Sequence, residues 1–202
     1  MRIAYKQIYI QVLFILALFS ACQKDPVSLE KKKLPPLNAL SMQVNNQAWE
    51  PGQIGNNECM RTYYGAWSSL DNPFFNIVAY RDVRGRTDIN SENSLQIQIM
   101  NVSGLGKYEL TGSYLESFKS HAIFTVKKPD GRFIRYINKR DTSSFSVVFE
   151  EFISLPTTNL KGVKGIFYGT LYNEVDPVDS ITITNGNFTF NRTNRYGFDQ
   201  CD

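Results

Sequence analysis

Histidine is nearly absent from these 202 residues, with His121 standing alone, and that scarcity removes a set of chemistries. Zinc sites built on paired histidines, the HExxH form included, cannot be assembled. A histidine-based triad would have to use this one side chain. There is no G-x-S-x-G elbow, and Gly104-Leu105-Gly106-Lys107 lacks the length and the Ser or Thr of a phosphate-binding loop. His121 heads an alternating segment, where an ordinary hydrogen-bonded residue is expected and not a catalyst. Charge of one sign is also scarce: 22 Lys and Arg stand against 19 Asp and Glu. With no clustered basic face or RNA-binding signature, no nucleic-acid partner is expected. Long apolar runs are missing too. The run Val12 to Phe19 falls short of the roughly 20 residues that a membrane-spanning helix needs.

What is present begins with that run. Arg2 and Lys6 precede it, Ser20 and Ala21 are small, and Gln23-Lys24-Asp25 turns abruptly polar. These three zones are the physical signature of an export signal. Ordinary cleavage after Ala21 would place bulky Phe19 where a small side chain is preferred, so that form fits poorly. Leu18-Phe19-Ser20-Ala21-Cys22 instead resembles the lipobox of bacterial lipoproteins, with Phe19 departing from the usual aliphatic residue. The resemblance implies a signal peptide over residues 1–21 and acyl chains, palmitate among them, on Cys22. One acyl chain holds a protein only marginally, at roughly 0.8 kcal/mol per buried methylene, whereas two or three give lasting attachment. The partner implied is therefore a membrane, reached through an N-terminal lipid. Removal of Arg2 and Lys6 with the signal leaves a net charge of +1.

Residues 22–38 read as lipidated cysteine and linker, with Lys31-Lys32-Lys33, Pro35-Pro36 and no sustained apolar period. Fully extended, the stretch from Gln23 to Asn38 reaches roughly 50 Å. Gln23-Lys24-Asp25 resembles the short polar and acidic signal that sends some lipoproteins of the Bacteroidota to the outer face of the outer membrane. That implies a lipid-anchored cell-surface location, with the periplasmic face as the alternative.

From residue 39 to 202 the period is two, not 3.6. Leu40, Met42 and Val44 share a face; so do Leu95, Ile97 and Ile99, and Phe145, Val147 and Phe149. Further strands are expected over Phe74–Tyr80, Tyr108–Leu110, Ala122–Lys127, Phe133–Ile137, Val163–Tyr172 and Ile181–Asn191. Turn signals separate them at Asn45-Asn46, Asp71-Asn72-Pro73, Ser103-Gly104, Pro129-Asp130-Gly131 and Asp176-Pro177. The expected fold is all-β, an antiparallel β-sandwich or a flattened, open β-barrel.

In Ile181-Thr-Ile-Thr-Asn-Gly-Asn-Phe-Thr-Phe190, strict alternation would set Phe188 and Phe190 opposite Ile181 and Ile183. Either a two-residue Asn185-Gly186 hairpin or a glycine bulge within one long strand reconciles them. The stretches VNNQAW, GKYEL, GIFYGTLY and ITITNGNFTF, in this order, resemble a widespread family of small Bacteroidota lipoproteins whose domain has no assigned function. The resemblance covers most of Leu40 to Phe190. It supports the fold and the bulge and implies no active site.

Cys59 and Cys201 make an even pair after Cys22, and beyond the inner membrane they are expected to form a disulfide. The alternative is a buried thiol at Cys59 and a frayed end at Cys201. Glu150 and Glu151 are adjacent carboxylates, but neighbours on a regular strand face opposite ways and cannot both flank one glycosidic bond. Glu174, Asp176 and Asp179 offer oxygen ligands without the spacing of a calcium loop, so no metal and no cofactor are assigned. Asp179-Ser180-Ile181 resembles a short O-glycosylation pattern of this bacterial group. Tyr63, Tyr64 and Trp67 cluster where alternation is poor, and they are the candidate ligand-binding residues, a loop platform for sugar rings or a protein partner, with core packing weighed above it. No catalytic residue is assigned. The expected role is binding or structural association in the cell envelope, with a glycan or an envelope protein as partner. The alternative is a carbohydrate-active protein using loop aromatics or carboxylates from separate strands.

Overall fold

Leu95, Ile97 and Ile99 are all within 1% of complete burial, which shows the two-residue period at work: one face of each strand leaves water and the other meets it. The computed structural model describes residues 38–52, 62–68, 74–81, 93–154 and 161–194. All belong to the compact unit Pro36–Asp202. The described residues form no helix. They form β1 (Ala39–Val44), β2 (Gln47–Trp49), β3 (Tyr63–Ser68), β4 (Phe74–Arg81), β5 (Asn93–Met100), β6 (Gly106–Glu109), β7 (His121–Lys127), β8 (Phe133–Ile137), β9 (Phe145–Ser154), β10 (Lys161–Asn173) and β11 (Ser180–Phe190).

These strands make one curled, antiparallel half-barrel sheet in the order β2-β1-β11-β10-β8-β7-β5-β4-β3. The long strand β10 divides it. One edge of β10 pairs with β11, while the other pairs with β9 over Lys161–Gly169 and with β8 at Tyr172 and Asn173. β6 extends the β9 branch. At the fork, the buried side chain of Asn138 donates from Nδ2 to the carbonyls of Leu110 (2.8 Å) and Gly112 (2.9 Å), and its Oδ1 accepts from Ala122 N–H at 2.8 Å. It thereby satisfies backbone groups that no strand ladder reaches.

The curl is held by bonds between segments far apart in sequence. Asn38 and Arg192 exchange reciprocal bonds of 2.9 Å, and the Tyr63 hydroxyl donates to the Asn38 carbonyl. Asn194 accepts from Trp67 N–H at 2.7 Å and returns a bond to the Trp67 carbonyl at 2.6 Å, which ties β3 to the segment after β11. Close by, Gly52 N–H donates to Tyr80 O at 3.0 Å, joining the segment after β2 to β4.

Two irregularities decide which residues face inward. Along β11, Ser41 of β1 faces Asn187 while Gln43 faces Thr184, so the strand carries an extra residue at Asn185-Gly186, with Asn185 at φ 51°. The bulge, not a hairpin, puts Ile181, Ile183, Phe188 and Phe190 on one buried face. Gly186 is required because a Cβ there would lie 2.3 Å from the Phe167 carbonyl oxygen. In β9, Lys164 faces Glu151 but Gly165 faces Phe149, leaving Glu150 unmatched. The simple alternation expected of Glu150 and Glu151 is interrupted there, and both side chains are exposed.

The strand over Tyr63–Ser68 has no counterpart in the sequence expectations, which put these residues in a loop. Its inward position 65 is glycine, since a Cβ there would sit 2.7 Å from the rings of Phe75 and Phe190. The apolar alternation is therefore broken by the packing that makes the strand part of the core. Asn45-Asn46, both at positive φ, form the expected two-residue turn between β1 and β2.

Candidate functional site

Near the end of β1 opposite to where the chain enters, the curled sheet opens into a cleft of about 330 Å³. Its size falls at the lower end of the range for small-molecule sites, and the mouth of a curled β-sheet is a common place for one. β2 contributes Trp49, β7 contributes Phe124 and Val126, β8 contributes Tyr136 and β11 contributes Ile181. The Trp49 and Phe124 rings meet edge-on, with centroids 5.9 Å apart at 72°. The rim is polar: Asn45 and Gln47 come from the β1–β2 hairpin, and Arg81 and Asn93 from the facing ends of β4 and β5.

Trp49 is 3% exposed, and its Nε1 is the buried side-chain polar atom without a hydrogen-bond acceptor among the described residues. Indole N–H groups usually find a partner when buried, and leaving such a donor unmatched costs about 1–3 kcal/mol. Tyr136 is arranged differently: its hydroxyl donates to Asp179 Oδ2 at 2.9 Å. Burial first, and then this bond, pushes the phenol up to about 12. Bonds from Asn173 and Tyr136 hold the Asp179 carboxyl below the usual carboxylate range.

The residues singled out from sequence are distributed over the domain and not gathered in this cleft. Tyr63 is buried, with its hydroxyl on Asn38 O. Trp67 is half-buried, 4.8 Å from the Phe75 ring, and Tyr64 is half-buried on the same strand. Cys22, Cys59 and Cys201 lie outside the described residues. His121 heads β7 half-buried, with Nδ1 2.9 Å from the Lys119 carbonyl; burial lowers its pKa, partly opposed by that bond.

Glu174 accepts from the Tyr114 hydroxyl and lies 3.6 Å from Arg135, so with Asp179 bound to Tyr136 two of the three loop acids already have protein partners. Among the described residues no group of three His, Cys, Asp or Glu is placed to hold a metal ion. The amides of Ser103 and Gly104 both donate to the Tyr108 hydroxyl, at 3.2 and 3.1 Å. The glycine turn is thus occupied by a side chain of β6, the strand that follows it. Ser180 is exposed at the start of β11.

Sequence reasoning missed Arg81, Asn93, Phe124 and Tyr136 as site residues, and it read Trp49 only as part of a strand motif. No local signal marks them, because they converge from five strands. The single available hint was the tryptophan placed directly after the Asn45-Asn46 hairpin.

These features define an antiparallel, all-β half-barrel domain with one polar-rimmed, aromatic-floored cleft near one end. The sequence pattern described as Domain of unknown function (DUF5025) matches residues 37–191, and the chain belongs to that family. Neither the curated proteins nor the solved structures contain a match to it.

Proposed function

We propose that the chain is a lipid-anchored protein of the bacterial outer membrane, displayed at the cell surface, whose β-domain acts by binding and not by catalysis. The observation that carries this reading is the apolar run Val12 to Phe19 closing in Leu18-Phe19-Ser20-Ala21-Cys22 and followed by Gln23-Lys24-Asp25. Ala39, the first strand residue after the linker, faces Thr189, whereas Val44 faces Ile183 beside the cleft. β1 runs roughly 17 Å from its first residue to the cleft.

Intact-mass measurement of the native product tests the anchor. The expected result is a chain beginning at a Cys22 that bears acyl chains, together with loss of membrane association in Cys22→Ser. An unmodified thiol at residue 22, or a chain still beginning at Met1, overturns it. Protease shaving of intact cells tests display: degradation supports the outer face, and protection until the outer membrane is opened assigns the periplasmic face.

A further inference from the structure

We infer that the cleft near the end of β1 is a binding site for a small organic anion, a carboxylate carried on a flat apolar body; this rests on the reading of the domain as a binding module. Three independent features converge there. The floor is aromatic and aliphatic, from Trp49, Phe124, Val126 and Ile181, and would cover the apolar body of a ligand. Among the described residues the lining holds one formal charge, the exposed Arg81, and no acid. Among the described residues no carboxylate pairs with Arg81. Asp179, behind the lining residue Tyr136, already accepts bonds from Tyr136 and Asn173.

The third feature is the Trp49 N–H, which has no acceptor among the described residues. Trp49 lines the cleft, and a turn of the indole would bring this covered N–H to a ligand oxygen. One carboxylate then takes a charge-assisted bond from Arg81 at the rim and a bond from Trp49 at the floor. A neutral isostere keeps the apolar contact and loses the ionic one. The cleft volume of about 330 Å³ suits a compact bicyclic body better than a long chain or an oligosaccharide.

Naphthalene-2-carboxylate and its neutral amide are the probes, titrated against the full chain in nonionic detergent with a micelle blank. Calorimetry gives affinity. The indole region of a nitrogen-15 correlation spectrum gives location, because the two tryptophans yield two N–H signals. The expected result is saturable binding of the carboxylate, a downfield move of the Trp49 signal with Trp67 unmoved, and about tenfold weaker binding of the amide. Arg81→Gln should bring the carboxylate down to the level of the amide. Ala48→Trp, at an exposed cleft position, should abolish binding of both without changing the melting temperature.

Equal affinity of the two probes, both lost in Ala48→Trp, overturns the anion proposal and leaves the cleft as a binding site. Binding that neither variant alters overturns the cleft itself. Absence of binding by either probe overturns the anion proposal, while the anchored-domain reading is judged separately by the modification at Cys22.

Discussion

At the end of the half-barrel where the chain enters, Phe75, Phe149, Phe188 and Phe190 pack with ring centroids 5.8–5.9 Å apart and at most 1% exposure. Near the other end, Trp49 and Phe124 make one edge-on contact beneath a cleft, with a buried N–H left unmatched. Both regions use aromatic rings from distant strands. In the first, each ring is enclosed by other rings, and each such pair contributes about 0.5–1.5 kcal/mol beyond its area. In the second, both rings are also buried, but the indole N–H has no acceptor among the described residues. The difference separates a region that secures the fold from one that can accept a molecule.

The comparison can be broken first at its rigid end. Phe188→Ala should lower stability by about 3–5 kcal/mol, read by chemical denaturation; a loss below 1 kcal/mol would mean that the ring cluster is not the main anchor of the sheet. Asn138→Ala removes a side chain serving three backbone groups at the fork of the sheet. It should cost about 2–3 kcal/mol, with amide exchange accelerating at Ala122 before the rest of β7. Gly65→Ala drives a Cβ against Phe75 and Phe190 and should cost about 1–3 kcal/mol. Alanine tolerated there with no change in the melting temperature would contradict the close approach of those rings.

Smaller effects belong to the cleft. Tyr136→Phe should cost about 1 kcal/mol at neutral pH and change the alkaline limb of stability. The unfolded phenol loses its proton near 10 and the folded one near about 12. The stabilisation from this group is therefore complete below pH 10 and fades as pH rises toward 12. The variant should lack that decline. Arg81→Gln, at an exposed strand end, should shift stability by less than about 0.5 kcal/mol. Its consequence should appear in anion binding alone, so a large loss of stability would show Arg81 to be structural.

Legibility from sequence followed the range of each signal. Leu95, Ile97 and Ile99 were readable because alternation is local, and Asn45-Asn46 because a tight turn constrains its own two residues. β3 was obscured by Gly65, whose reason lies in rings 10 and 125 positions away. The Glu150 bulge left no mark that alternation could expose, and hairpin and bulge at Asn185-Gly186 satisfy the same hydrophobic pattern. None of the cleft was legible as a site, since Trp49, Arg81, Phe124 and Tyr136 are joined by no spacing rule.

The sequence by itself determined the strand-rich character, the inward face of most strands and the turn at Asn45-Asn46. Only the tertiary structure decided the fork at β10, the choice of bulge over hairpin, and the gathering of Trp49 and Arg81 at one cleft. The reason is physical. A two-residue period is imposed by each strand on itself, whereas closure of the sheet depends on steric and hydrogen-bond partners brought together from remote parts of the chain.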